Sequence, residues 1–519
     1  MNRALNLISK RAETGETERL SETFVDFGVS VALESLDHQI VYGRRGTGKT
    51  HALLYLQTVV LQKGDLPIYV DLRTIGSPGG LFGAYELSPF ERATHLLADL
   101  VMTIHDSLLQ AVIDDDSLVG DPSFVSDLDA LQHSISGMKI VGDVERTSEG
   151  EVTESKTSKK SVGATLGKEV SAKADLGSDS AASNREKSNV VQRGREVSAI
   201  NFGDVATSLR RIMDALVPKR VWLLLDEWSS VPLDIQPLLG EFIVRCLLSL
   251  RNFTTKIGAI EQQSAFRSVV NGEYIGIEVG ADVTANLNLD DFMVFDQSED
   301  RSREFFRGLF YNHLSSGDEV VPKLDSEKDV VRLGFTDKRA FDELVRAAEG
   351  VPRDALNIAA KAAIRAAAKK ISVDDVRNSA SQWFQSDKEA NLRSRPEAAQ
   401  LLHWIIDKVI RDKRARGFMV SQRVEGAEIL LGLFDARVLH ILRRGYSAKD
   451  EPGHRYMVYS IDYGAYVDLM NTKSAPLGLF EIEEKNHVDV PPHDLRSLRR
   501  TILDLPSFLE KIEREKDDQ

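Results

Sequence analysis

The chain has a single cysteine, Cys246, in 519 residues, so no disulfide can form within it. That thiol sits inside an apolar helical pattern and reads as a small, inert core group. No uninterrupted apolar run is long enough to span a bilayer, and the first twenty residues, MNRALNLISKRAETGETERL, have no signal-peptide core. These absences lead us to expect a cytoplasmic protein with no membrane segment. Basic residues are in deficit as well: 66 Lys and Arg against 80 Asp and Glu give a formal net charge of −14. That balance argues against a surface built throughout for nucleic acid, although a local basic patch stays open. Length and an ordinary hydrophobic fraction allow about three domains with a sizeable core.

What is present starts at His38, with HQIVYGRRGTGKTHALL. Gly43, Arg44, Arg45, Gly46, Thr47, Gly48, Lys49 and Thr50 satisfy G-x-x-x-x-G-K-[ST] at each fixed position, and His51 follows at the start of a helix. Glycines suit such a loop because backbone N–H groups must curl around a polyanion at dihedral angles that a side chain resists. Lys49 can reach terminal phosphates, and the Thr50 hydroxyl can ligate Mg²⁺. Ile40 to Tyr42 read as a buried strand before the loop. Ala52, Leu53, Leu56, Val59 and Val60 recur at helical spacing after it, with Gly64 as the stop. A strand before and a helix after are the context the motif requires.

A second signal lies in RVWLLLDEWSS, where the apolar run Val221–Leu225 ends in Asp226 and Glu227. Asp226 can sit in the Mg²⁺ shell, and Glu227 can polarise an attacking water, so the doublet points to ATP hydrolysis and not to binding alone. Further strands are expected at Leu66 (LPIYVDL), Lys256 (KIGAI) and Phe292 (FMVF), with helices between them. This alternation describes an α/β core with a doubly wound sheet over residues 1–298. SPFERATHLLADLVMTIHDSLLQAVI and IQPLLGEFIVRCLLSLRN supply two of its helices, the first opened by Ser88, Pro89 and Glu91.

An insertion interrupts the core over residues 114–204. Its small and polar composition suits a flexible segment. Val162, Ala164, Leu166, Val170, Ala172, Ala174 and Leu176, however, hold alternate positions, which predicts a strand with one covered face. NVVQRGREVSAINF can pair with it across SDSAASN, making a long β-hairpin for contacts with other molecules. From residue 299 to 390 the pattern turns helical. EGVPRDAL there places Arg353 in the first turn of a helix, where a guanidinium can face phosphate.

Residues 391–519 form a third unit. Pro396 starts a helix, FMV is a short strand, EGAEILLGL and FDARVLHILRRG read as two helices, and YSAKDEPGHRYMVYSI reads as a hairpin. Helix, strand, helix, helix, hairpin is the order of a winged helix. If the unit binds DNA, its second helix enters the major groove with Arg437, His440, Arg443 and Arg444, and the wing brings Lys449, His454 and Arg455 near phosphates. Lys413, Arg414 and Arg416 add a basic cluster nearby.

The whole layout resembles AAA+ ATPases of the origin-recognition, replication-initiator-like clade, on GRRGTGKT at 43–50, LLLDE at 223–227, GVPRDALNIA and ISVDDV. The resemblance covers about the first 390 residues outside the insertion. It implies a P-loop core, an all-α lid whose sensor 2 falls on Arg353, a C-terminal winged-helix domain, and ATP with Mg²⁺ as ligands. We further expect assembly as a homo-oligomer or with operon-encoded protein partners. Two features depart from the family pattern. Where it places a polar residue after the fourth strand, the chain has Glu261, Gln262 and Gln263, of which Gln262 can orient water. No arginine finger stands out, with Arg267 and Arg251 as options. The expected function is therefore an ATPase whose nucleotide state controls DNA binding and assembly. A nucleotide-switched scaffold or signalling ATPase that binds proteins, for example in an anti-phage defence system, is the alternative.

Overall fold

The computed structural model describes residues 1–10, 17–76, 88–114, 122–135, 138–141, 195–198, 200–270, 272–292, 299–316, 323–413, 415–422, 427–447, 454–471 and 501–517. In chain order the strands of the first half are β1 (Gln39–Tyr42), β2 (Leu66–Asp71), β3 (Met138–Val141), β4 (Arg195–Ser198), β5 (Val221–Asp226) and β6 (Phe253–Ala259). They are followed by β7 (Arg267–Val270), β8 (Glu273–Gly276), β9 (Thr284–Asn288), β10 (Gly417–Ser421), β11 (Leu439–Ser447) and β12 (Arg455–Ile461).

Five strands form one parallel sheet in the order β2-β5-β6-β1-β9. Parallel strands need crossover connections; helices supply those from β1 to β6, the β7–β8 hairpin lies in that from β6 to β9, and both faces of the sheet are covered. Coverage explains why β5 and β6 are buried at every position. Even Lys256 is taken in. Its amine donates to the Ser35 and Asp37 carbonyls and to Gln39 Oε1 at 2.8, 3.1 and 3.0 Å, and burial brings its pKa down to about 7.

The long helix Pro89–Asp114 presents Leu96, Leu97, Leu100, Ile104 and Leu108 to the core on one stripe. Ser88 and Glu91 cap its start reciprocally, as the sequence predicts. Among the described residues it is also the one helix long and apolar enough to cross a membrane; its apolar length is broken by His95, Asp99, His105 and Asp106, so it does not register as an uninterrupted run.

One expected core element is corrected: the fifth strand of the described sheet is Thr284–Asn288, while of FMVF the first residue, Phe292, ends the short helix Leu289–Phe292 and 293–295 lie outside the described residues. An edge strand covered on one side needs little apolar content, and here Leu287 alone is buried. The insertion is also more ordered at its start than its composition implies. Pro122–Ile135 is a helix whose Phe124, Leu128 and Leu131 are buried in the core. Arg195–Ser198 pairs with Met138–Val141; the alternating stretch 162–176, and with it the expected long hairpin, lies outside the described residues.

The helices from Glu299 to Leu392 share one buried apolar cluster with the C-terminal unit, from Phe305 through Leu401 and Tyr459 to Phe508. Ala4, Leu5 and Ile8 join that cluster, and Asn2 binds the carbonyls of Ala367 and Lys369, each at 2.8 Å. The C-terminal unit itself holds the antiparallel sheet β10-β12-β11. Here the expected helix pair is corrected. Helix Ala427–Asp435 forms, but the predicted second helix is strand β11. Arg437 adopts φ 61°, in the left-handed region, and stops the helix. The run Val438–Leu442 is then buried on both sides, a pattern that suits a core strand as well as a helix.

Candidate active site

All five parallel strands point their C-terminal ends to one edge of the sheet, and the motif residues collect there. The loop 43–50 leaves β1 and runs into helix Lys49–Gln62, with Gly48 at φ 97° as its N-cap. Gly46 has φ 88°, and a Cβ on it would come within 2.9 Å of Arg353 Cβ. A Cβ on Gly43 would meet Thr47 Oγ1 at 2.5 Å. The glycines are thus set by backbone curl and by close packing. The Lys49 amine is buried and donates to the carbonyls of Gly43 (2.8 Å) and Arg44 (3.2 Å). Burial lowers its pKa, and the carboxylates of Glu227, Asp226 and Asp290 push the other way.

Asp226 ends β5, one strand removed from β1, and is fully buried. Its Oδ1 accepts from the Glu227 backbone N–H at 2.8 Å, and its Oδ2 accepts from the Tyr69 hydroxyl at 3.0 Å. Each oxygen keeps a further lone pair for a cation. Gly258 on β6 leaves room for this carboxylate, since a Cβ there would stand 2.8 Å from Oδ1. Glu227 has φ 57° and ψ 41°, a left-handed conformation that costs a residue with a side chain about 1–2 kcal/mol. Its Oε1 lies 3.9 Å from Arg73 Nη1, and Arg73 is held by Asp71, the residue in register with Asp226. Gln262 sits half-buried in the turn directly after β6. The neighbouring Gln236 fixes that turn to the β5 loop: its amide reaches the Val231 and Gln263 carbonyls, and its oxygen accepts from Trp228 and Ala265.

Arg353 occupies the first turn of helix Pro352–Ala366, directly over Gly46, and its N–H donates to the Gly46 carbonyl at 3.3 Å. The loop, the acidic doublet, Gln262 and Arg353 thus share one end of the molecule. His51 does not join them. Its ring turns back to the Leu20 carbonyl at 2.7 Å and packs edge-on to Phe24. Arg45 is exposed, whereas Arg44 is buried and faces the C-terminal unit. Tyr69, Arg73, Gly258, Gln236 and Asp290 carry no motif, and only the strand order brings them to the site.

The residues expected to meet DNA fare differently. Arg437 is buried against Asp354 (2.7 Å) and Asp387, and His440 is buried against Asp462 (3.1 Å) and Arg44 (3.2 Å). Neither can reach a groove. Arg444 pairs with Glu261 at 2.8 Å, while Arg443, His454 and Arg455 are exposed and Lys449 lies outside the described residues. The guanidinium of Arg44 can only donate, so His440 Nδ1 accepts and Nε2–H donates to Asp462. Burial, and next Arg44, bring the His440 pKa down to about 4 from its ordinary 6.5. The unfolded chain therefore binds the extra proton between those values, so stability falls as pH drops from 6.5 toward 4, by about 3 kcal/mol for this group. His313 acts in the same direction. The readout is thus the difference between wild type and His440→Leu in urea midpoint from pH 6.5 to 4.5: the variant should lose less. Equal losses would place the acid sensitivity elsewhere.

Comparison with known proteins finds no matching family model and no significantly similar curated protein.

Proposed function

We propose that the chain is a Mg²⁺-dependent ATPase of the AAA+ type whose nucleotide state sets how its C-terminal unit meets protein partners. The reading rests on one juxtaposition: the Lys49 amine lies in the field of Asp226 and Glu227, carried to it by a strand two places away in the sheet. In it, the loop N–H groups and Lys49 hold the terminal phosphates, and Thr50 and Asp226 hold Mg²⁺. The metal, when bound, neutralises phosphate oxygens. Glu227 accepts a proton from the attacking water, Gln262 orients that water, and Arg353, the lid's sensor 2 in this reading, meets the phosphates from the helix above the loop. The bridging P–O bond then breaks to give ADP and phosphate.

The preference for protein over DNA comes from a particular observation. The expected groove-reading helix is strand β11, and two of its four basic residues are buried, Arg437 in ion pairs and His440 in a hydrogen bond to Asp462. A winged-helix role in DNA binding would then rest on Arg443, Arg455 and their neighbours alone. Titrating duplex DNA at rising salt, with and without ATP, separates the two. We expect no binding at physiological salt and none that depends on ATP. Tight binding that falls steeply with salt would restore the DNA reading.

A further inference from the structure

Arg44 is a phosphate-loop residue, yet its side chain belongs to the C-terminal unit. Its Nη1 donates to the Leu439 carbonyl at 3.0 Å and to His440 Nδ1 at 3.2 Å, and the guanidinium lies 4.6 Å from the centre of the Phe434 ring. Asp290 grips the same residue from the core side, through Nε at 2.7 Å and the backbone N–H at 2.8 Å. From His440 a buried chain of charges continues. Asp462 accepts from His440 and pairs with Lys388, and Lys388 pairs with Asp354 at 2.8 Å. Asp354 also accepts from Arg437 and from the Trp383 indole at 3.1 Å. Asp354 immediately follows Arg353. The chain therefore leaves the phosphate loop at Arg44, passes through His440 on β11, Asp462 directly after β12 and Lys388, and returns beside Arg353.

Such a row is costly to bury unless each member is satisfied, and here each charge has a partner of opposite sign or a hydrogen bond. Against the upward push of burial, Lys388 and Arg437 hold Asp354 down at about 2, so it stays ionised. A buried network whose charges are all paired favours one geometry, and this one has both of its ends at the nucleotide site.

We propose that the C-terminal unit is a positioning part of the nucleotide site: Leu439, His440 and Phe434 hold Arg44 and with it the phosphate loop, while Arg437, and Asp462 acting through Lys388 of the helical segment, hold Asp354 and with it the turn bearing Arg353. This rests on the ATP-binding reading and adds its regulation. A partner that displaces the C-terminal unit loosens the grip on nucleotide, and by reciprocity nucleotide binding changes the affinity for that partner.

The test is a double-mutant cycle on the affinity of the full-length protein for a fluorescent ATP analogue with Mg²⁺. Arg44→Met and His440→Leu should each weaken binding about tenfold, and the double variant should be little worse than the weaker single. His440→Gln, which keeps an acceptor for Arg44 and a donor for Asp462, should recover most of the loss. The exposed His403→Ala on the same unit should bind as wild type does. If His440→Leu does not fold, Phe434→Leu reads the same contact from the ring beneath the guanidinium. Unchanged affinity in folded His440→Leu, or losses that multiply in the double variant, would overturn the proposal while ATP binding stands. Failure of the wild type to bind the analogue would instead remove the reading on which it rests.

Discussion

Glu227→Gln should lower phosphate release by about a hundred- to ten-thousandfold, the range that a positioned general base contributes. ATP binding should stay close to wild type. The amide is nearly isosteric, so the left-handed turn at residue 227 and the hydrogen bond from its N–H to Asp226 persist. What disappears is the capacity to take a proton. The 3.9 Å separation from Arg73 keeps the carboxylate oriented without a close ion pair to quench it. Single-turnover phosphate release and nucleotide titration on the same preparation read the two effects apart. Hydrolysis at the wild-type rate would remove Glu227 as the base. Loss of binding together with hydrolysis would mean that the substitution disturbed the loop instead.

Lys49→Met should weaken ATP by about ten- to a hundredfold, as expected for removing a charged donor worth about 1.5–3 kcal/mol. The methionine fills the buried space of the lysine stem, so the fold around helix Lys49–Gln62 should hold. It does leave Asp226, Glu227 and Asp290 without the cation whose pKa they raise. Like charges in a buried crevice repel, and a bound polyphosphate would add to the repulsion. The loss should therefore grow with the number of phosphates, being larger for ATP than for AMP. An equal effect on the two nucleotides would place Lys49 away from the terminal phosphates.

The loop and the acidic strand are legible in the sequence because their chemistry is local. A glycine loop between a strand and a helix, and a carboxylate doublet after an apolar run, need no knowledge of the rest. β1, β2, β5 and β6 follow for the same reason, since buried parallel strands write themselves as apolar runs. Edge strand β9 is not legible, because TANLN buries a single leucine and the more apolar FMVF competes with it. β11 misreads as a helix because an apolar run buried on both faces has no period to distinguish the two, and the stop at Arg437 is a backbone angle that no residue type announces. The supporting set of Tyr69, Arg73, Gly258, Gln236 and Asp290 depends on which strands are neighbours. Arg437 and His440 look like groove readers in sequence because a basic residue and its buried partner are far apart: Arg437 and Asp354 are separated by 83 positions.

The central claim is that loop 43–50 holds a triphosphate against the acids that end β5. Calorimetric titration of ATP into the wild type and into Lys49→Met, each with Mg²⁺ and with EDTA, tests it most directly. The account predicts one site per chain in the wild type, weakened both by the substitution and by removal of the metal. No binding by the wild type, or binding that neither change affects, would contradict it.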